Sequence, residues 1–192
     1  PQVVLPTSSG ADEPGPDQDP SLPGSDGFLP VEVTPDTVQS VIATLSRADS
    51  YTREVTVTDY WGDQSGSTVF QVYADNGFTR TQAKLASGRT QNTLITETHR
   101  YLWYDQSQRY LTFSAEEHTP DLAQRFPTYE DVLDLPKSQI TGAGYTVQDG
   151  WNCIYAEVTD DALGYRYRYW VDIDSGLLVS SETVDKDEAV IY

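Results

Sequence analysis

Ser67-Thr68-Val69-Phe70-Gln71-Val72-Tyr73-Ala74-Asp75-Asn76-Gly77-Phe78-Thr79-Arg80-Thr81-Gln82-Ala83-Lys84-Leu85 decides the fold. Two runs rich in β-branched and aromatic residues flank Asp75-Asn76-Gly77, and Asn-Gly tolerates the positive φ angles that a tight hairpin turn demands. The stretch therefore reads as an antiparallel hairpin of Ser67 to Ala74 with Phe78 to Leu85. Upstream, Tyr51, Val55 and Val57 alternate with Thr52, Glu54, Thr56 and Thr58, giving a strand that Gly62-Asp63-Gln64-Ser65-Gly66 turns into the hairpin.

Downstream, strands are expected at Arg89 to Thr96, Tyr101 to Tyr104 and Tyr110 to Phe113. The meander then breaks between Thr119 and Leu135, where Pro120 and Asp121 mark one helix start and Pro127 and Pro136 bracket a second short helical piece. Strands resume at Gln139 to Val147, Trp151 to Val158, Tyr165 to Ile173, Leu177 to Val184 and Ala189 to Tyr192. A chain that stops in a strand implies a sheet edge there, open to a further strand or to a neighbour.

Before the meander, Thr34-Pro35-Asp36 has the N-cap, first-position proline and first-turn acid of a helix start. Val38, Val41, Ile42, Leu45 and Ala48 follow at spacings of three and four. They predict an amphipathic helix of about four turns, from Pro35 to Ala48, whose apolar face needs a partner surface. Ahead of it, seven of the 11 prolines fall within residues 1–30 together with Asp12, Glu13, Asp17, Asp19 and Asp26. Such a composition cannot bury enough apolar surface to offset ordering entropy, so 1–30 is expected to be a disordered acidic tether and 31–192 the folded domain.

Net charge is −18 with 12 basic residues, a field that repels phosphate backbones and anionic lipid heads. Nucleic acid is not expected as a partner, and a membrane is expected only through a removed N-terminal lipid anchor. The chain has no methionine, so a removed leader is expected upstream. The single cysteine, Cys153, sits in the apolar run Trp151-Asn152-Cys153-Ile154-Tyr155-Ala156 and reads as a small core residue.

Signatures of catalysis are missing. His99 and His118 each lack a second ligand at metal spacing, and no nucleophile elbow, phosphate loop or dinucleotide fingerprint occurs. Asp172-Ile173-Asp174-Ser175-Gly176 begins like a calcium loop, but Thr183 stands where the closing glutamate belongs, so it reads as a hairpin turn. No enzyme activity, cofactor or metal is expected.

Three stretches carry a family likeness. Leu94-Ile95-Thr96-Glu97-Thr98-His99-Arg100-Tyr101-Leu102-Trp103-Tyr104-Asp105 is a strand, a turn and a Leu-Trp-aromatic strand. Tyr129-Glu130-Asp131-Val132-Leu133-Asp134-Leu135-Pro136 is a small central helix, and Tyr169-Trp170-Val171-Asp172-Ile173-Asp174-Ser175-Gly176-Leu177-Leu178-Val179 is a late hairpin whose acidic turn ends in glycine. With the element order from Val31 to Tyr192, they resemble the bacterial lipoprotein carrier superfamily, which includes the periplasmic lipoprotein carrier, its outer-membrane receptor, an anti-sigma-factor-binding sensor and a spore-germination lipoprotein. The carrier's arginine before a proline has no counterpart in Ala74-Asp75-Asn76-Gly77-Phe78-Thr79-Arg80, and its role is not carried over to Arg80.

The resemblance implies a mainly β fold with α: a curved antiparallel sheet, or open half-barrel, covered by one N-terminal amphipathic helix and short central helices. It also implies an extracytoplasmic, membrane-anchored place in a bacterial cell envelope. The least ordinary stretch, Tyr165-Arg166-Tyr167-Arg168-Tyr169-Trp170, puts tyrosines on one face and arginines with Trp170 on the other. In one reading the tyrosines pack under the helix. In the other they line a cavity, and Tyr155, Tyr167 and Tyr169 with Val41 and Leu45 of the helix are the candidate ligand-binding residues. The expected function is then to hold an apolar or amphipathic small molecule or a lipidated partner. The alternative is a scaffold or sensor that contacts another envelope protein without a cavity, with a dimer through the open edge near Ala189 to Tyr192 as one form.

Overall fold

The computed structural model describes residues 31–114, 126–160 and 164–192. The proposed tether, His118 and the helix start at Pro120 and Asp121 lie outside them. A first antiparallel meander is built of β1 (Ser50–Trp61), β2 (Gln64–Asp75), β3 (Phe78–Lys84), β4 (Thr90–Ile95), β5 (His99–Tyr104) and β6 (Tyr110–Ser114), adjacent in chain order. A second contains β7 (Ile140–Gln148), β8 (Trp151–Asp160), β9 (Tyr165–Asp172) and β10 (Leu178–Val184), also in order. The fold is mainly β, with antiparallel sheets and short helices. The hairpin turn is as expected: Asp75 pairs with Phe78, and Asn76 and Gly77 take φ of 46° and 86°, the two positive angles of a type I′ turn.

Helix α1 spans Val38–Thr44, shorter than the run Pro35 to Ala48. Its start matches the sequence signal in part, since the Thr34 carbonyl accepts from the N–H groups of Thr37 and Val38. Its end is set by a contact across the fold. Leu45 turns extended, and the Arg47 guanidinium folds back to donate to the carbonyls of Ile42 and Leu45 and, from Nε, to that of Gly176 at 2.9 Å. These bonds satisfy carbonyls that the helix leaves open. Arg47 also lies 3.6 Å from the centroid of the Tyr129 ring. Gly176 is needed beneath it: φ is +67°, and a Cβ there would stand 2.8 Å from Arg47 Cγ.

Helix α2 (Tyr129–Asp134) begins with a capping box, in which Thr128 Oγ1 accepts from Glu130 N–H and Asp131 Oδ2 accepts from Thr128 N–H. Its C-terminal end is held by Gln39 of α1, whose Nε2 donates to the carbonyls of Val132, Leu133 and Leu135 at 3.0, 2.9 and 2.8 Å. Gln39 is buried, so its amide ties the two helices together where water cannot replace it. Gln39→Ala should cost about 1 to 3 kcal/mol, the penalty for leaving buried polar groups unsatisfied, and urea denaturation measures it.

Both helices cover one face of the second sheet. Val38 and Ile42 of α1 and Val132 of α2 meet Ile154, Ala156 and Val158 of β8 and Val171 of β9, all of them buried. Val41, Leu45, Tyr167 and Tyr169 pack against this cluster as partly buried residues. A second cluster on the first sheet joins Phe70, Val72, Ala83 and Phe126, with Val55 and Val57 against it. Cys153 is buried, and burial is the main reason its thiol pKa is raised, which makes it the inert core residue its neighbours suggested.

The last residues depart from the expected open edge. After the turn Asp185 to Glu188 the chain folds back: Ile191 N–H donates to the Thr183 carbonyl at 2.8 Å and Thr183 N–H to that of Tyr192 at 2.9 Å. On the other side, Tyr60 N–H of β1 donates to the Ile191 carbonyl at 3.1 Å. Residues 190–192 thus lie between β10 and β1, and the edge proposed for a dimer near Ala189 to Tyr192 is occupied by the chain's own partners. Among the described residues the ladder ends at β6 on one side and β7 on the other, without closing into a barrel.

Candidate functional site

The two sheets meet at β1 and β10, and between them lies a cleft of about 510 Å3. Residues 190–192 join the two strands through backbone hydrogen bonds, and Arg53 of β1 crosses the gap to donate from Nη1 to the Leu178 carbonyl at 3.2 Å. Alternation along β1 puts Arg53, Val55 and Val57 on the same face as Phe70 and Val72, their cross-strand partners being Val72, Phe70 and Thr68. Val55, Val57, Phe126 and Leu177 give the cleft an apolar wall, and Arg53, Glu54, Tyr192 and the hydroxyls of neighbouring Ser and Thr residues of β1 and β10 add polar groups. The Arg53 guanidinium stands 5.6 Å from the Phe126 ring centroid and 5.7 Å from that of Tyr51. Burial, followed by the charge of Asp59, raises the Tyr192 pKa, so its hydroxyl stays neutral and able to donate. A cleft with an apolar wall and polar groups along it is suited to an amphipathic small molecule.

The five residues expected to bind ligand do not line this cleft. Tyr167 and Tyr169 face α1 with Val41 and Leu45, as alternation required, and there they pack against the core cluster. Burial pushes the Tyr169 hydroxyl up to about 12, with help from the Asp131 charge and Tyr167. Tyr155 is on the opposite face. It pairs directly with Trp170, and directly opposed residues of an antiparallel pair share a face. The rings of Tyr155 and Trp170 lie 5.3 Å apart.

That opposite face carries an ion-pair network. Tyr155 donates its hydroxyl to Glu157 Oε2 at 2.8 Å, and Arg168 Nε donates to the same oxygen at 2.9 Å. Glu182 and Glu188 stand 3.7 and 3.6 Å from the Arg168 guanidinium, and Glu188 also pairs with Arg166. The arginines are outside the helix-covered core, as expected, and the acids that neutralise them come from three neighbouring segments.

This network sets a pH response. Burial raises the Glu157 pKa, but hydrogen bonds from Arg168 and Tyr155 and the charges of Arg168 and Arg166 outweigh it, so the net shift is downward. A carboxylate with a depressed folded pKa contributes stability that is present above its unfolded value, near 4.3, and is lost as pH falls through the folded value. Tyr155 works at the other end. Burial, then its bond to Glu157 and that group's charge, lift it from 10.0 to about 12 despite Arg168, so its contribution is intact below pH 10 and is lost as pH rises toward 12. Urea unfolding measured across pH should show both declines, with the acid decline shallower in Glu157→Gln and the alkaline one shallower in Tyr155→Phe.

No family model matches the chain. No curated protein matches it either. Among solved structures, a LolA superfamily protein from Nitrosomonas europaea is 15% identical, with a TM-score of 0.35 over 82% of this chain and 74% of that one. A DUF1329 family protein from Desulfovibrio piger is 16% identical, with a TM-score of 0.33 over 81% and 74% of the two chains.

Among the described residues, no group of three or more His, Cys, Asp or Glu is placed to hold a metal ion, and no helix is long and apolar enough to cross a membrane. His99 begins β5 and is exposed, its Nδ1 2.9 Å from Thr98 Oγ1. Arg53, Phe126 and Tyr192 were missed in the sequence because their meeting depends on how two sheets join. The one available signal was Arg53, a charge on the otherwise apolar side of a strand that alternates cleanly.

Proposed function

We propose that this protein is an extracytoplasmic binding protein that holds an apolar or amphipathic small molecule in the cleft between β1 and β10. The observation that carries this reading is the 510 Å3 cleft with an apolar wall between the two sheets, a size within the range of small-molecule sites. The ligand's apolar part would lie against Val55, Val57, Phe126 and Leu177, and its polar end would meet Arg53 or Tyr192. Binding and not catalysis is the activity. The acidic, proline-rich composition of residues 1–30 would suit a tether that holds such a domain away from an envelope surface.

The test is uptake of a fluorescent fatty acid by the purified protein, paired with mass spectrometry of a lipid extract from protein prepared without denaturation. Saturable uptake or a co-purified lipid agrees with the proposal. Neither one appearing contradicts it. A second reading, a scaffold that contacts another envelope protein, draws on the packing under α1, where Val38, Ile42 and Val132 are fully buried and leave the space beneath the helix filled.

A further inference from the structure

Two strand edges are open. Among the described residues, no backbone pairs with the outer side of β6 or of β7, and all five residues of β6 are exposed. Edge strands are normally kept from pairing by charges or proline. Tyr110-Leu111-Thr112-Phe113-Ser114 and Ile140-Thr141-Gly142-Ala143-Gly144-Tyr145-Thr146-Val147-Gln148 contain neither, in a chain that is 22% charged. The one irregularity of β7 falls between Ile140 and Gly142, so the strand is regular from there on. Both edges also carry exposed apolar side chains: Tyr110, Leu111 and Phe113 on β6 are 65, 58 and 49% exposed, and Tyr145 and Val147 on β7 are 52 and 65% exposed. Tyr110 stands opposite Trp103, its ring centroid 5.9 Å from that of Tyr101.

The direction of each backbone group at these edges follows from the ladder. Asp105 N–H donates to the Thr90 carbonyl and Thr96 N–H to that of His99, so His99, Tyr101 and Trp103 bond toward β4, and Arg100 and Leu102 bond toward β6. Their partners Phe113 and Leu111 are thereby satisfied, which leaves Tyr110, Thr112 and Ser114 with N–H and C=O groups pointing outward. On β7, the two-residue turn Asp149-Gly150 makes Gln148 and Trp151 a hydrogen-bonded pair. Gly144 and Thr146 then bond inward, and Ala143, Tyr145 and Val147 point outward. An antiparallel register that joins outward groups to outward groups sets Tyr110 of one copy opposite Val147 of another, Thr112 opposite Tyr145, and Ser114 opposite Ala143. Aromatic and β-branched residues are favourable cross-strand partners. Phe113 falls opposite Gly144, where a Cβ would meet nothing within 4 Å, and a ring laid over an edge glycine fills that space.

Charge selects among the pairings two copies could make. At a strand edge both sheet faces meet the partner, so the charge of the whole block counts. Residues 78–114, which form β3 to β6, hold five basic and two acidic groups, a net +3, whereas residues 137–192, which form β7 to β10, hold four basic and ten acidic groups, a net −6. Pairing β6 with β6 or β7 with β7 sets like charge against like. Pairing β6 with β7 sets opposite charges together. At the seam itself, Arg109 precedes β6 and Asp149 follows β7, and the register brings them to adjacent positions. We infer that copies of this chain join head to tail, β6 of one against β7 of the next. Each end of the assembly keeps an open edge, so it grows as a filament or closes into a ring.

Sedimentation velocity of the full chain over a range of concentrations tests this. Wild type should form species larger than a dimer, and about 1 M salt, where the Debye length is about 3 Å, should return them to monomer. Thr112→Pro and Val147→Pro each remove an outward N–H that the single chain does not use, so each should keep the fold and, on its own, stay monomeric. Mixed in equal amounts, the two should form a heterodimer and stop there, because one supplies an intact β7 and the other an intact β6. Thr112→Lys and Val147→Lys place a charge on the same edges and repeat the experiment should circular dichroism show a proline variant unfolded. Wild type that stays monomeric at millimolar concentration, association that strengthens with salt as the overall −18 is screened, either variant associating alone, or no heterodimer in the mixture would overturn the inference.

Discussion

Ile42→Ala is expected to destabilise the protein by about 2 to 5 kcal/mol, the range for removing a large aliphatic side chain from a packed core. Ile42 has no exposed surface and belongs to the cluster that joins α1, α2 and the helix-covered face of β8 and β9. Helix α1 has seven residues, too few to be stable without tertiary packing. Loss of its central anchor should therefore loosen both helices, since Gln39 links α1 to the end of α2. Against a total stability typical of single domains, about 5 to 15 kcal/mol, the change is large enough to read directly from urea denaturation. A loss below about 0.5 kcal/mol, the level of ordinary surface changes, would mean that the helix does not cover the sheet. Leu45→Ala should cost less, because Leu45 is only partly buried and already lies past the helix end.

Val55→Trp is expected to abolish fatty-acid uptake while leaving the fold intact. Val55 is half-buried on β1, pairs with Phe70 and lines the cleft. An indole at this position has the open slot to occupy, so the overpacking cost should stay near or below the usual 1 to 3 kcal/mol. The ligand's volume is then taken by the protein. Tyr155→Phe, on the far face of the second sheet, should keep wild-type uptake. Equal uptake by wild type and Val55→Trp would place any bound ligand elsewhere.

Most of the strand order was legible because it depends on local signals. Asn76-Gly77 and Asp149-Gly150 take the positive φ angles that tight turns need, and each joins runs that pair across it in register. The separation of Tyr167 and Tyr169 from Arg166 and Arg168 followed from a period of two. The side on which Tyr155 falls did not, because it depends on which residue of β9 it opposes, and Trp170 rather than a tyrosine stands there. The helix end was likewise hidden: Arg47 stops α1 by way of Gly176, a bond across 129 residues. The cleft was the least legible feature. Its walls come from β1 and β10, at opposite ends of the meander, and the chain's last residues hold them at their spacing by bonding to both.

Photolabelling with a diazirine-bearing fatty acid, followed by peptide mapping of the cross-linked full chain, tests the cleft most directly. The account predicts labels on β1 around Val55 and Val57, on Phe126 and near Leu177, competed away by unlabelled fatty acid and lost in Val55→Trp. Labels confined to the Tyr101, Trp103 and Tyr110 surface, or to Tyr167 and Tyr169 beneath α1, or no labelling that unlabelled fatty acid displaces, would contradict it.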